Sequence, residues 1–152
     1  MSAEPIDWDS LVWRLHDVIA GRTCLADADG HVYLLNPCYD RRKRLTIEVY
    51  RDGRFDPAWT TCEKARADIP AEARALFQVR KRWAWPKARR KPKAHQARLR
   101  SAGMDPDAHF YQIATWHDPA KCLAHLRRHL PGLHPISGAE HDAAVRARQE
   151  AA

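Results

Sequence analysis

Apolar and polar positions near the N-terminus repeat at helical spacing: Trp8, Leu11, Val12, Leu15, Val18 and Ile19 fall on one stripe. Asp7 or Asp9 can cap the start of this helix and Gly21 ends it. The period then changes to two. Leu45, Ile47 and Val49 alternate with Arg44, Thr46, Glu48 and Tyr50, and Asp29-Gly30 and Asp52-Gly53 are hairpin turn signals. This predicts a strand meander with one face buried and the other wet. With Asp29-Gly30 as a two-residue turn, Cys24 lies opposite Leu35 and Cys38 opposite Gly21, so the two thiols are not cross-strand partners.

Asp56-Pro57, a cap followed by a proline at the first helical position, predicts a helix that runs until Pro70. Pro70 starts a fresh helix carrying Ala73, Leu76, Phe77, Arg80 and Trp83 on one side, which Pro86 stops or kinks. Residues 86–104 contain a second proline, Pro92, and little apolar content, which predicts an exposed arm or a broken helix. From 110 to 116, Phe110, Gln112, Ala114 and Trp116 alternate with Tyr111, Ile113 and Thr115 as in a strand. Asp118-Pro119 opens a helix bearing Leu123, Leu126 and Leu130, and Pro131-Gly132 ends it. Ser137 with Glu140 makes a capping box for a last helix over 138–151. Its apolar residues are alanines and Val145, so it is expected to fray or to dock on a partner. The fold class that follows is α+β: an N-terminal helix, an antiparallel three- to four-stranded meander, and C-terminal helices, in a single domain over 1–152.

Composition bounds the function classes. The four cysteines, Cys24, Cys38, Cys62 and Cys122, contain no Cys-x-x-Cys pair and are too sparse for a secreted disulfide framework, so all are expected to be reduced. The first nine residues have neither the basic start nor the apolar core of a secretory signal, and no stretch has the apolar length of a membrane span. The expected location is the cytoplasm. There is no Gly-x-Ser-x-Gly, no Gly-rich phosphate loop and no His-Glu-x-x-His, so no cofactor is expected. Of the four serines, Ser2, Ser10 and Ser137 sit at a terminus, a helix start and a cap, which argues against serine catalysis. His16 and His31 are expected at the surface.

Charge changes the picture most. The net charge is +7, from 26 Lys and Arg against 19 Asp and Glu. From 73 to 104 there is no acid at all, while Arg74, Arg80, Lys81, Arg82, Lys87, Arg89, Arg90, Lys91, Lys93, Arg98 and Arg100 supply eleven positive charges. Trp83 and Trp85 are interleaved among them. Cations neutralise phosphates and release counterions, arginine forks fit phosphate oxygens, and an indole face can stack on a base. The function expected is non-catalytic binding of nucleic acid, DNA or RNA, through Arg80, Lys81, Arg82, Trp83, Trp85, Lys87, Arg89, Arg90, Lys91 and Lys93. The alternative is an adaptor or inhibitor that uses the same cations on an acidic protein surface. A solvated linker is the bland reading of such a run.

Three further constellations carry weaker chemistry. Cys122, His125, His129 and His134 form a Cys-x2-His-x3-His-x4-His string in which His125 and His129, four apart on a helix, can share a metal. Helical angles place them at the boundary of the leucine stripe. The order helix, three strands, helix, strand resembles metal-dependent nucleases of the restriction-endonuclease type, with Asp40 and Glu48 as the two carboxylates. Tyr50 stands where that family's Glu-x-Lys carries its lysine, and a second alternative function, metal-dependent cleavage, rests on this resemblance. Leu25 to Gly30, Leu-Ala-Asp-Ala-Asp-Gly, resembles the helix-end motif of the LAGLIDADG homing endonucleases, but Gly21 precedes it and a hairpin turn is the simpler expectation.

Overall fold

The computed structural model describes residues 4–55 and 69–152. In chain order the elements are α1 (Trp8–Arg14), β1 (Thr23–Ala26), β2 (Val32–Tyr39), β3 (Leu45–Arg51), α2 (Ala71–Leu76), β4 (Gln78–Trp83), α3 (Pro86–Arg89), α4 (Lys93–Ser101), β5 (His109–Ala114), α5 (Pro119–His129), β6 (His134–Ile136) and α6 (Gly138–Glu150). The fold is α+β, as expected from the pattern. The helix expected between Asp56 and Pro70 lies outside the described residues.

Asp7 caps α1 by accepting from the Ser10 N–H at 3.1 Å. The helix then ends at Arg14, shorter than its apolar stripe. Asp17 turns its carboxylate onto the Ile19 and Ala20 N–H groups, offering them a partner other than a helical carbonyl. The chain therefore leaves the helical path and Ile19, expected on the core stripe, is 91% exposed. Gly21 closes this turn with its N–H on the Asp17 carbonyl at 2.7 Å.

Strands β1, β2 and β3 form the predicted antiparallel meander, and β6 adds to the free edge of β1 to give the order β3-β2-β1-β6. The first hairpin differs by one in register: Cys24 faces Leu34, and Cys38 faces Thr46 on β3. The cause is a longer loop, in which the Asp27 carboxylate accepts from the Asp29 and His31 N–H groups. The thiols of Cys24, Cys38 and Cys122 are free, and Cys62 lies outside the described residues. The Asp52-Gly53 turn is as expected: both residues have positive φ, 51° and 76°, and an Arg51–Arg54 bridge closes it.

Leu25, Tyr33, Leu35, Ile47 and Val49 project from one face of the sheet into a core shared with Ala73 and Leu76 of α2 and with Cys122, Leu123 and Leu126 of α5. The opposite face, carrying Cys24 and Leu34, is crossed by α6, whose capping box between Ser137 and Glu140 forms as predicted. No helix among the described residues is long and apolar enough to cross a membrane.

The segment 78–83 departs from expectation. It is strand β4 rather than the continuation of the helix begun at Pro70. Phe77 is extended and fully buried, and from there the backbone pairs antiparallel with β5, Val79 opposite Ile113. A ladder to a distant strand satisfies the backbone groups that the helical spacing of Arg80 and Trp83 would have left to a local helix. The base of this two-stranded ribbon is fixed to the core. Ile113 is buried, and the Trp116 indole N–H donates to the Leu76 carbonyl at 2.8 Å while the Trp116 carbonyl accepts from the Ile47 N–H at 2.9 Å. The far end carries α3 and α4, which make up the broken helix expected for 86–104, interrupted at Pro92.

Candidate nucleic-acid interface

Strand alternation sorts the ribbon's side chains. Arg80 and Arg82 stand on one face beside Gln112, where the Arg82 Nε–H donates to Gln112 Oε1 at 3.0 Å. Val79, Lys81 and Trp83 stand on the other, over Ile113, Tyr111 and His109. Near the core this second face is apolar. Further out it becomes an aromatic ladder, Trp83 edge-on to His109 at 5.9 Å and His109 edge-on to Tyr111 at 5.6 Å.

Trp83 is not available in the way the sequence suggests. The Arg89 guanidinium lies over its ring at 3.4 Å from the centroid and the Lys81 ammonium at 4.4 Å. Arg89 also donates to the Pro106 carbonyl at 3.2 Å and to Asp107 at 3.3 Å. The pair therefore locks α3 onto the ribbon, with a cation–π contact adding about 0.5–1 kcal/mol at such a site. Arg100 is likewise engaged, on Asp107 at 2.6 Å and Asp105 at 3.4 Å, and these carboxylates hold its guanidinium even more firmly charged than usual. Asp105 and Asp107 are the first acids after the basic run, and that position was the available sign that they would return to neutralise part of it.

The remaining candidates face outward. Arg80, Lys81, Arg82, Lys87, Arg90, Lys91 and Lys93 are exposed, and none of them pairs with a carboxylate among the described residues. Gln96 fixes the angle between the two short helices by donating to the carbonyls of Lys91 at 2.8 Å and Arg89 at 3.2 Å. Trp85 precedes α3, is 43% exposed, and overhangs a concavity of about 440 Å³ formed with Ala88, Leu99 and Met104. Leu99 and Met104 had no motif to announce them. They meet because the chain turns back at Gly103, where the Met104 N–H reaches the Leu99 carbonyl at 2.8 Å.

The other constellations are absorbed by the fold. Cys122 is a core residue, not a boundary one: it is fully buried, which pushes its thiol pKa upward. His125 Nε2 is 2.8 Å from the Arg74 carbonyl and packs against Trp116 and His129, while His134 bonds the Gly132 carbonyl. Burial lowers the His125 pKa. Asp40 holds the β2–β3 turn through the Arg42 and Arg44 N–H groups and the Arg44 guanidinium. Glu48 accepts from the Cys38 thiol at 3.0 Å and the Tyr50 hydroxyl at 2.8 Å. Burial and that carboxylate push the Cys38 thiol up to about 12, away from the thiolate that nucleophilic chemistry uses. Among the described residues no three His, Cys, Asp or Glu side chains converge as a metal site, and neither the His string nor the Asp40 and Glu48 pair forms one.

Asp27 and Asp29 lie in the hairpin loop after β1, not at a helix end, as the hairpin expectation held. His31, expected at the surface, is half-buried between Asp52, 2.8 Å from Nδ1, and Arg51, 2.9 Å from Nε2. Arg51 continues to Glu72 on α2, and Arg148 of α6 reaches Asp52 at 3.1 Å and the Gly30 carbonyl at 2.8 Å. This network ties three elements together around the second turn. Sequence spacing gave no hint of it, because its members come from separate hairpins and helices. No protein-family model matches the chain, and comparison with curated proteins and with solved structures gives no significant match.

Proposed function

We propose that the ribbon of β4 and β5 with α3 and α4 is a non-catalytic binding surface for nucleic acid. The observation that carries this reading is the set of eight exposed cations, Arg80, Lys81, Arg82, Lys87, Arg90, Lys91, Lys93 and Arg98, that have no carboxylate partner among the described residues while Asp105 and Asp107 are committed to Arg89 and Arg100. Like charges held together on a folded surface raise the local potential and draw phosphates to it. Arg80 and Arg82 stand on one face of the ribbon, Lys87 on α3, Arg90 and Lys91 in the α3–α4 connection and Lys93 on α4, so cations are spread over the ribbon and both short helices. Trp83, in this reading, positions Arg89 and the helix behind it instead of stacking on a base.

Fluorescent oligonucleotides titrated with the full chain across a salt series test the proposal. Binding is expected to weaken linearly in log–log coordinates with a slope of about −3 to −6, the range for four to seven neutralised phosphates on single or double strands. A variant with Lys87, Arg90, Lys91 and Lys93 changed to Gln is expected to flatten that slope by roughly one per cation. No binding at low salt sinks the proposal and gives the surface to an acidic protein partner.

A further inference from the structure

Trp85 is where the lobe offers more than charge. Its exposed indole lines a largely apolar hollow together with Ala88, Leu99 and Met104, and the side chains of Lys87, Lys91 and His95 border the same hollow. A hollow of about 440 Å³ lies in the size range that holds one planar ring system with its substituents. Its lining is mostly thioether, aliphatic carbon and indole, with the His95 imidazole beside them, a surface that accepts the face of a ring and leaves most of its edge unread. Lys87 and Lys91 are both exposed cations, and Arg90 and Lys93, nearby in the chain, are exposed as well. The occupant this combination complements is an apolar ring tethered to a chain of negative charges. A nucleotide is such a group. In a duplex, however, its base is stacked between neighbours and paired, and only an unpaired base can enter sideways.

We infer that the lobe takes single-stranded nucleic acid, with one unpaired base held against Trp85 in the hollow and its flanking phosphates on Lys87 and Lys91. This rests on the function proposed above and narrows its ligand. Apart from the two lysines, the lining's polar groups are the His95 imidazole and the Trp85 indole N–H, too few to read a whole base edge, so base identity matters little and strandedness matters a great deal. Trp83 cannot substitute, since Arg89 and Lys81 occupy its ring.

The test uses the full chain and three oligonucleotide probes of equal length: a mixed-sequence single strand, its duplex, and a strand of abasic sites with the same phosphates. The readout is the ratio of affinities at one salt concentration. Single strand is expected to exceed both duplex and abasic strand by about 5- to 150-fold, the range that one stacked base contributes. Trp85→Leu, which keeps the hollow apolar but removes the ring, is expected to bring that ratio close to one, and Trp85→Phe to restore most of it. The abasic probe needs no variant, so a folding defect in either variant leaves the comparison intact.

Equal binding of all three probes, with Trp85→Leu indistinguishable from wild type, overturns the inference and leaves the nucleic-acid reading standing. Absence of binding to any probe at low salt overturns both. A further probe, an acidic peptide bearing one phenylalanine, separates the rival occupant. Trp85-dependent capture of that peptide together with equal binding of the nucleic acids gives the hollow to a protein side chain and overturns the inference.

Discussion

Gly21 is a residue whose role comes from what surrounds it. A Cβ at this position would stand 2.2 Å from the carbonyl oxygens of both Arg14 and Asp17, and both atoms are backbone, fixed by the end of α1 and by the Asp17 turn. Gly21→Ala must therefore displace the turn, and with it Thr23, whose hydroxyl donates to the Gly21 carbonyl at 3.0 Å. The expected cost is about 1–3 kcal/mol, at the upper end because no side chain can yield, and urea unfolding of the variant measures it. A cost below a few tenths would mean that the turn is soft. Trp83 teaches the converse lesson about single residues. Its sequence neighbours suggested a stacking platform, yet its partners are Lys81 two residues away and Arg89 six residues away, brought over it by α3. Arg89 and Trp83 are better regarded as one structural unit than as two ligand contacts.

Among the elements, α6 depends most on local devices. Its buried contribution is His141, and Val145 lies so close to Gly53 that a Cβ on the glycine would come within 2.7 Å of it. Otherwise it is held by Arg148 on Asp52 and by its cap, in which Glu140 N–H donates to Ser137 Oγ and Ser137 N–H to Glu140 at 2.7 Å. With so little apolar burial to fall back on, Ser137→Ala is expected to lose about 1 kcal/mol and to show it first as faster amide exchange in residues 138–142, ahead of global unfolding. Uniformly unchanged exchange would mean that docking on the sheet, not the cap, sets this helix. Elements of this kind were legible in the sequence because their signals are local: the Ser137–Glu140 box, the Asp118-Pro119 start of α5, the alternation in β3 and β5. Strand β4 was not, since Phe77, Arg80 and Trp83 fit a helical stripe and what overrides it is β5, thirty residues further along. The three residues of β6 carry no period at all, and they are a strand because the edge of β1 is there to pair with. The cations of the candidate site could be read directly, whereas the hollow under Trp85 needed Leu99 and Met104 to be folded back onto α3.

For the whole molecule, charge distribution makes an argument that burial cannot. The chain carries +7, its segment 73–104 carries +11, and the rest therefore carries −4, yet among the described residues only Asp105 and Asp107 come back to the lobe's Arg89 and Arg100. Added salt acts on this arrangement in two opposite senses: it weakens those exposed ion pairs, each contributing about 0–1 kcal/mol, and it relieves repulsion among the eight exposed cations of the lobe without a carboxylate partner among the described residues. Eight like charges within a few Debye lengths outnumber two neutralised arginines, so repulsion is expected to win. Thermal unfolding of the free protein should then move upward by a few degrees between low and physiological salt, a gain of about 1 kcal/mol for a chain of this size. Asp107→Asn sharpens the case, because it takes a carboxylate from Arg89 and Arg100 together: its loss of Tm is expected to be larger at low salt than at high salt. A Tm that falls as salt is added would show that the lobe is already balanced by its own acids, and a balanced lobe has no electrostatic reason to seek a polyanion.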